Sequence, residues 1–390
     1  MIDKSYSYGK QTIDQGDIDA VVEALKSDWL TQGPKVQEFE NALAQKFNAK
    51  YVSAVANGTA GLHLIGIALG WKKDDVVITT PITFVASANC IVYSGATPDF
   101  VDINENTYTL DINKLEEEVN RYIKIGKQIK AVVAVDYAGH PSDWESLRIL
   151  ADKYNFQLVN DNCHALGAEY NGDLGYAVKY ADIVNMSFHP VKHITTGEGG
   201  AVLTNNQILD EKIKMLRTHG ITKDKKYLGN NDGLWYYEMQ MLGFNYRITD
   251  FQCALGSSQL KKLDRFVKRR NEIAKYYDME FKNDERFIIP YSKANVKHAY
   301  HLYPLQLNFD KLKISKKKFF EKMRENSIEL QVHYIPVHMQ PYYKKQFGFE
   351  EGDFPIAEQF YKNEVSIPIY PLLEDKDLSF IASIIIKLAE

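Results

Sequence analysis

Short apolar segments alternate with longer amphipathic segments between residue 50 and about residue 205. The apolar segments predict strands, and the stretches between them, such as TAGLHLIGIALG and DWESLRILADKYN, predict helices. Strands that alternate with helices form a mainly parallel sheet with helices on both faces, and ligands bind beyond the carboxyl ends of its strands. The predicted strands are YVSAVA (51–56), DVVITTP (75–81), IKAVVAVDY (129–137), FQLVND (156–161), YADIVNMSF (180–188) and GAVLT (200–204).

The pattern changes in the last third of the chain. Residues 250–282 predict one long amphipathic helix or two joined helices. The segments HAYHLYPLQLNF, ISKKKFFEKMRENS and IELQVHYIPVH then predict a strand, a helix and a strand of a smaller α+β lobe. A chain of 390 residues is too long for one compact core. We expect a large domain over residues 1–255, and a linking helix with a small domain over residues 256–390.

Composition and charge argue against several classes of function. The chain is 45% hydrophobic and 25% charged, which is ordinary for a globular protein, and its net charge of -4 is not that of a nucleic-acid-binding protein. No apolar run approaches the roughly 18 residues that a membrane helix needs, and the N-terminus lacks the apolar core of a signal peptide. The three cysteines, Cys90, Cys163 and Cys253, are far apart, which argues against disulfides and a metal site. We expect a cytoplasmic protein.

Candidate chemistry lies where predicted strands end. Gly58 and Thr59 follow the first strand and begin a helix, whose N–H groups either hold a phosphate or form a turn capped by Asn57 or Thr59. Asp161 ends another strand and is either a helix cap or the partner of a buried cation. His164, three residues further on, either shares that pocket or is structural.

A lysine and an aromatic residue complete this set. Lys192 stands between two predicted strands in NMSFHPVKHITTGEGGAVLTNN, where desolvation would make its neutral, nucleophilic amine available. Phe84 in PITFVAS is either an aromatic platform at a strand end or a core residue. A phosphate cradle, a carboxylate, an aromatic face and a nucleophilic lysine together predict pyridoxal phosphate, which requires a lysine Schiff base and a carboxylate at its ring nitrogen.

Six ordered motifs resemble those of one family, the DegT/DnrJ/EryC1 sugar aminotransferases of the fold-type-I architecture. The resemblance covers nearly the whole chain and implies a large domain with a mainly parallel sheet and a smaller C-terminal α+β domain. The motifs are NGTAGLHL, PITFVASANCIVYSGATPDFVDI, DNCHALGAEYNG, MSFHPVKHITTGEGGAVLTNN, GFNYRITDFQCALGSSQLKKLD and QVHYIPVH.

The resemblance implies roles around pyridoxal phosphate. Lys192 would carry the cofactor as a Schiff base and act as the catalytic base, and Asp161 would bind the ring nitrogen. His164 would contact the ring hydroxyl and Phe84 would stack on the ring. The phosphate would be bound by Gly58, Thr59, Ser187 and, from the neighbouring subunit of a homodimer with shared active sites, Asn245.

Within the family, the chain resembles members that act in pseudaminic acid biosynthesis. They transfer the amino group of L-glutamate to C4 of a UDP-4-keto-6-deoxy-N-acetylhexosamine. The chain departs from the usual family pattern at Asn160, where an acidic residue is common, and at His193. The resemblance implies a sugar-nucleotide site formed by Tyr8, Asp28, Trp29, Leu30, Thr31, Ser187, Asn245, Gln331, Val332, His333 and Tyr334.

Other functions predict other residues. A related aminotransferase that acts on another 3-keto or 4-keto sugar of UDP or dTDP would share all of these motifs. A dehydratase of the same family would have a histidine in place of Lys192, and a non-enzymatic regulator on the same fold would lose Lys192 and Asp161. A Rossmann oxidoreductase requires G-x-G-x-x-G after the first strand, which ANGTAG does not match.

Overall fold

A seven-stranded sheet lies at the centre of the computed structural model, which describes residues 4–230 and 232–390. The helices are α1 (Gln15–Lys26), α2 (Pro34–Lys46), α3 (Gly58–Ala68), α4 (Ala86–Tyr93), α5 (Ile112–Lys124), α6 (Trp144–Tyr154), α7 (Tyr176–Tyr180), α8 (Gln207–Leu216), α9 (Asp250–Leu260), α10 (Leu263–Phe281), α11 (Lys316–Glu325), α12 (Pro341–Phe347), α13 (Pro355–Asn363) and α14 (Asp375–Leu388). The strands are β1 (Tyr51–Val55), β2 (Val76–Thr79), β3 (Thr97–Phe100), β4 (Ala131–Val135), β5 (Gln157–Asp161), β6 (Glu169–Tyr170), β7 (Ile183–Ser187), β8 (Gly200–Thr204), β9 (Ile221–Thr222), β10 (Glu238–Met239), β11 (Phe287–Ile288), β12 (Val296–Lys297), β13 (Tyr303–Leu307) and β14 (Glu364–Ile367).

The central sheet confirms the predicted α/β class with a mainly parallel sheet. Its strands lie in the order β1-β8-β7-β5-β4-β2-β3. Strand β8 pairs antiparallel with both of its neighbours, and the remaining pairs are parallel. The carboxyl ends of β1, β2, β4, β5 and β7 therefore meet at one edge of the sheet, where a ligand site is expected.

Both faces of the sheet are buried, as the continuous apolar strands predict. Along β4, Val132 and Ala134 face one core with Trp144 of α6, while Ala131 and Val133 face a second core with Ile65 of α3. Because successive side chains of a strand point to opposite faces, one apolar segment contributes to two cores. This packing fixes the strands whose ends form the site.

A smaller sheet of β11, β13 and β14 builds the C-terminal lobe. Its core includes Phe319 and Met323 of α11 and Ile381 and Ile385 of α14, and Tyr6 from the N-terminal segment joins it. The predicted helix over residues 250–282 is two helices, α9 and α10. The proposed domain boundary between residues 255 and 256 falls inside α9, and the division into domains stays a prediction.

Two expectations about strands differ from the structure. Strand β3 (TPDF) has no apolar run to reveal it, and it forms as the edge strand beside β2. The predicted strand over residues 328–338 has only isolated bridges, at Ile328 and Gln331, and residues 331–335 line a cavity instead of following a sheet. Among the described residues, no helix is long and apolar enough to cross a membrane.

Candidate active site

A cavity of about 960 Å³ opens at the carboxyl edge of the central sheet, and most of the predicted site residues line it. Its walls come from the ends of β1, β5 and β7, from the segment after β2, and from the segment between α11 and α12. The cavity therefore gathers residues that lie far apart in the sequence. The predicted residues that line it are Tyr8, Gly58, Thr59, Phe84, Asp161, His164, Ser187, Lys192, Gln331, Val332, His333 and Tyr334.

Lys192 lies in the loop that reverses the chain between β7 and β8. The loop is closed at its base, because Phe188 N–H donates to Gly199 O at 2.8 Å and Thr196 N–H donates to Phe188 O at 3.0 Å. Gly197 adopts φ +81°, a conformation that a residue with a side chain rarely adopts, and this allows the return towards β8. The half-buried lysine is thus held at a defined position in the cavity wall.

The surroundings of Lys192 favour its neutral amine. Burial lowers the pKa of the Lys192 amine to about 8. Nζ lies 3.3 Å from Nε2 of His301, a residue that the sequence analysis did not single out. The backbone of His301 is fixed in turn, since the buried Arg270 donates to the carbonyl oxygens of Tyr300 and His301 at 3.1 and 3.2 Å.

Asp161 presents a carboxylate at the end of β5. Oδ2 accepts the hydroxyl proton of Ser87 at 2.6 Å, and Oδ1 accepts the backbone N–H of Cys163 at 3.2 Å. The carboxylate is 5% exposed, and in the described parts of the chain no lysine or arginine lies within ion-pair distance. A buried carboxylate held only by neutral donors is suited to bind a cationic N–H of a ligand.

The N-terminus of α3 forms a cradle beside Ser187. Asn57 caps the helix by accepting the N–H of Ala60 at 2.8 Å, which orients the first turn towards the cavity. A Cβ at Gly58 would lie 3.0 Å from Cβ of Ser187, so the backbone approaches the β7 end as closely as glycine permits. Free N–H groups at a helix N-terminus and a serine hydroxyl suit a phosphate group.

An aromatic wall stands on another side of the cavity. Phe84 is 54% exposed, which excludes the core alternative for this residue. Its ring centroid lies 6.0 Å from that of Tyr334. The N–H of Ala138 donates to Nδ1 of His164, so Nε2 carries the proton and donates it to the Tyr334 hydroxyl at 3.0 Å. Burial lowers the pKa of His164 well below its usual value, which keeps the ring neutral.

Five predicted residues do not line this cavity within one chain. Asp28, Trp29, Leu30 and Thr31 are exposed, and Thr31 is bridged to Thr249. Asn245 is also exposed and is bridged to Thr218, although the adjacent Tyr246 does line the cavity. The structure thus brings together the predicted cofactor residues except Asn245, and leaves part of the predicted substrate set on the outer surface.

The two residues that depart from the family pattern, Asn160 and His193, are both buried and both contact polar groups of the chain. Asn160 is buried and donates from Nδ2 to Oδ2 of Asp136 at 3.1 Å, so an acidic side chain here would face another carboxyl. His193 is buried with Nε2 3.0 Å from the carbonyl oxygen of Ala299. Neither side chain lines the cavity.

The sequence analysis missed two residues that contact the predicted catalytic Lys192 and the predicted cofactor-binding Asp161. His301 contacts Lys192 and Ser87 contacts Asp161. A signal existed for His301, because two histidines interrupt the apolar segment HAYHLYPLQLNF. No signal existed for Ser87, because a serine on a helix after a strand is common.

The donors in the cavity fit pyridoxal phosphate. The cofactor combines a phosphate, an aldehyde and a ring nitrogen that can be protonated. The α3 cradle with Ser187 suits the first, the Lys192 amine the second, and the Asp161 carboxylate the third. The observation that supports this fit most directly is that the buried Asp161 forms no ion pair within the described residues.

Comparisons with known proteins agree with this chemistry. The model of the DegT/DnrJ/EryC1/StrS aminotransferase family matches residues 11–386. The UDP-4-amino-4,6-dideoxy-N-acetyl-beta-L-altrosamine transaminase of Campylobacter jejuni subsp. jejuni serotype O:23/36 (strain 81-176) is 42% identical over 384 residues, which is 98% of this chain and 97% of the relative.

Solved structures share the whole architecture. Helicobacter pylori PseC, an aminotransferase involved in the biosynthesis of pseudoaminic acid, superimposes with a TM-score of 0.90 at 34% identity over 99% of both chains. The PLP form of the putative sugar aminotransferase Spr1654 from Streptococcus pneumoniae has a TM-score of 0.87 at 27% identity, again over 99% of both chains. This chain belongs to the DegT/DnrJ/EryC1/StrS aminotransferase family.

Proposed function

We propose that the chain is a pyridoxal-phosphate-dependent nucleotide-sugar transaminase. It transfers the amino group of L-glutamate to C4 of a UDP-4-keto-6-deoxy-N-acetylhexosamine and gives UDP-4-amino-4,6-dideoxy-N-acetyl-β-L-altrosamine. The observation that carries the reaction type is that one cavity holds both the Lys192 amine, whose pKa is lowered to about 8, and the Asp161 carboxyl, which forms no ion pair within the described residues. The printed names of the Campylobacter and Helicobacter proteins support the choice of sugar.

The residues of this chain divide the work between binding and proton transfer. When bound, pyridoxal phosphate supplies an aldehyde that takes up an amino group and a ring that withdraws electrons from the substrate carbon. Lys192 would remove the proton from Cα of glutamate, since its amine is neutral in an appreciable fraction near pH 8. Asp161 would hold a proton at the ring nitrogen, and α3 with Ser187 would anchor the phosphate.

The reverse half of the reaction uses the same groups. Lys192, now protonated, returns a proton during amination of the C4 ketone of the sugar. The neutral ring of His164 donates to the Tyr334 hydroxyl at 3.0 Å and holds it in place, and that hydroxyl can donate a hydrogen bond to a ligand without adding charge. The other product of the full reaction, 2-oxoglutarate, is released in the glutamate half-reaction.

We also propose that the active unit is a homodimer whose sites are completed by the second chain. Asn245 and residues 28–31 are exposed on one chain, although the family resemblance assigns them to the substrate and phosphate. Exposed apolar side chains accompany them, with Trp29 at 56%, Trp235 at 73% and Leu242 at 77%. Apolar surface of this kind suits burial against a second copy.

Half-reaction spectroscopy tests the assignment. The protein is converted to its aminated-cofactor form with glutamate, and candidate keto sugars are then added while the absorbance of the aldehyde form is followed. We expect the UDP-4-keto-6-deoxy-N-acetylhexosamine to restore this absorbance faster than dTDP-4-keto-6-deoxyglucose. The opposite order would contradict the proposed sugar substrate but not the transaminase activity. If glutamate causes no change in absorbance, the proposed transaminase activity itself is overturned.

A further inference from the structure

A buried arginine lies close to the contact between His301 and Lys192. Arg270 of α10 is 1% exposed, and its Nη1 lies 3.1, 3.2 and 2.8 Å from the carbonyl oxygens of Tyr300, His301 and Ile369. Its Nε has no hydrogen-bond partner in the part of the chain that the structure describes, and no carboxylate there forms an ion pair with it. Burial lowers the pKa of the guanidinium to about 10, which still leaves it charged at neutral pH. Arg270 is therefore a buried positive charge without a counter-charge.

His301 connects this charge to the amine of Lys192. Its carbonyl oxygen accepts a hydrogen bond from Arg270, and its ring Nε2 lies 3.3 Å from Nζ of Lys192. One residue, itself buried, thus separates the guanidinium from the amine. Two unit charges about 10 Å apart repel each other by roughly one pKa unit at an effective dielectric constant of about 20. The charge of Arg270 therefore disfavours the ammonium form of Lys192.

The other ionisable groups around the amine do not supply a second positive charge. Burial raises the pKa of the Cys163 thiol and of the Tyr334 hydroxyl, so both are uncharged. Burial lowers the pKa of the surrounding histidines, which are therefore neutral: His164, His189, His193, His301 and His333. The Asp161 carboxylate favours the ammonium form, and a cationic N–H bound to it would cancel that effect. Glu198 also lines the cavity but is exposed, where water screens its charge.

Two roles account for a buried, unpaired arginine at this place. As a cross-link, Arg270 ties α10 to three backbone carbonyl oxygens, and a neutral donor of similar reach could do the same. As a fixed charge, it acts on Lys192, and only the charge matters. The free-energy cost of burying an unpaired cation favours the second role, because a neutral cross-link would avoid that cost. Burial is the main cause of the lowered pKa of Lys192, and Arg270 lowers it further.

We propose that Arg270 is a positioning residue that acts on Lys192 through its charge. The charge keeps the amine in the neutral form that attacks an aldehyde or removes a proton, and the hydrogen bond to His301 fixes the ring that contacts Nζ. The effect of the charge on the amine is independent of the reaction. Its use in transamination rests on the proposed function.

Trace acetylation measures the protonation of Lys192 in protein without cofactor or substrate. Acetic anhydride is added at a series of pH values, and peptide mass spectrometry compares Lys192 with the exposed Lys179 of the same sample. We expect a midpoint near pH 8 in the wild type, and a midpoint about one pH unit higher in Arg270→Gln and in Arg270→Met. The two variants should agree because both remove the charge, although only glutamine keeps a donor for the carbonyl oxygens.

Arg269→Gln is the matched control on the same helix. Arg269 also donates to a backbone carbonyl oxygen, that of Leu373 at 2.6 Å, but its charge is paired with Asp375 at 3.1 Å. This variant should keep the wild-type midpoint. If neither Arg270→Gln nor Arg270→Met raises the midpoint more than Arg269→Gln does, the proposal is overturned. It is also overturned if only Arg270→Met raises the midpoint, since the effect then follows the hydrogen bonds.

Either neutral variant of Arg270 decides the first of these points if the other does not fold. Replacement of a buried charge by a hydrophobic residue of similar volume is often neutral for stability, which favours Arg270→Met as the second variant.

The glutamate half-reaction measures the use of this charge. At pH 7 Arg270→Gln should react about tenfold more slowly than the wild type, because a pKa higher by about one unit reduces the neutral fraction of the amine about tenfold. The two rates should converge towards about pH 10, where the amine is mostly neutral in both proteins. Slowing by the same factor at every pH would indicate a distorted site and would overturn the role of the charge in the reaction.

The two experiments separate the possible failures. If the wild type shows no half-reaction with glutamate, the proposed function fails, and the acetylation midpoints still decide the effect of Arg270 on Lys192. If the half-reaction proceeds but the midpoints of the wild type and the neutral variants coincide, the role of Arg270 is overturned and the proposed function stands.

Discussion

At the scale of single residues, the two groups that we propose to handle protons, Lys192 and Asp161, are held by different means. Lys192 is poised by burial and by one contact, with His301, and has no carboxylate partner among the described residues. Asp161 is held by a hydroxyl and a backbone N–H, and it forms no ion pair within the described residues. Neither group is paired with an opposite charge of the protein, so both are available to a ligand in the cavity.

The lowered pKa of Lys192 predicts a pH dependence for cofactor uptake. Protein stripped of cofactor should react with pyridoxal phosphate at a rate that rises with pH and levels off above about 8, because only the neutral amine attacks the aldehyde. Stopped-flow absorbance measures this rate. Lys192→Ala should lose the reaction and all turnover, whereas the exposed Lys179→Ala should keep the wild-type profile. A rate of cofactor uptake that does not change with pH would contradict the lowering of the Lys192 pKa by burial.

The carboxylate at the end of β5 predicts a second effect. Asp161→Asn should slow both half-reactions by about ten- to a hundredfold, which corresponds to the roughly 1.5–3 kcal/mol of a charge-assisted hydrogen bond. Single-turnover absorbance with saturating cofactor measures this. Asp210→Asn is a suitable control, since Asp210 also accepts a serine hydroxyl in a buried site but lies outside the cavity. Equal rates in the two variants would remove Asp161 from the reaction.

At the scale of elements, the site depends on where strands stop and helices begin. Helix α3 begins directly after β1, and its cap fixes the N–H groups of its first turn next to the end of β7. The loop from β7 to β8 places Lys192 in the wall of the same cavity. The sheet therefore determines the distance between the phosphate cradle and the reactive amine.

The cap of α3 can be tested against the cap of another helix. Asn57→Ala should reduce the free energy of unfolding by about 1 kcal/mol. It should also weaken cofactor binding about two- to fivefold, since a helix N-terminus contributes roughly 0.3–1 kcal/mol to a bound anion. Asn206→Ala removes the equivalent cap of α8, where Asn206 accepts the N–H of Ile208 at 2.9 Å. It should cost similar stability in urea unfolding but leave cofactor affinity unchanged.

At the scale of the whole molecule, parts of the chain that are far apart in the sequence meet at the cavity, and we propose that a second chain completes it. His301 and His333 come from the C-terminal part of the chain and Tyr8 from its N-terminal segment, while Lys192 and Asp161 come from the central sheet. The exposed Asn245 and the apolar surface near it suit completion of the site by a partner.

Subunit mixing tests the shared site. Lys192→Ala and Asn245→Ala chains, each inactive alone, should regain activity when they exchange subunits, because one of the two sites in the mixed dimer then carries neither change. If Asn245 acts within its own chain, both sites stay damaged and no activity returns. The test requires Asn245→Ala to be strongly impaired, which its own kinetics establish first. Sedimentation of the wild type measures the expected dimer.

The sequence alone was sufficient for the class of fold and for the residues at the strand ends. Apolar runs and helix signals are local, so β1, β2, β4, β5, β7 and β8 were predicted close to their observed positions. Strand β3 was missed, since its stability comes from pairing with β2 rather than from its own residues. The prediction of a strand over residues 328–338 was wrong. An alternation of apolar and polar residues occurs both in a strand of a sheet and in a segment that lines a cavity.

What only the tertiary structure decided is which side chains meet. The sequence left Phe84 as either an aromatic platform or a core residue, and its exposure at the cavity excluded the role of a core residue. The contact of His301 with Lys192 joins residues 109 positions apart, and that of Ser87 with Asp161 joins residues 74 apart. No local pattern records such pairs, because they depend on how the strands are ordered and how the lobes pack. The sequence determined the reactive groups, and the packing determined their pKa values and their partners.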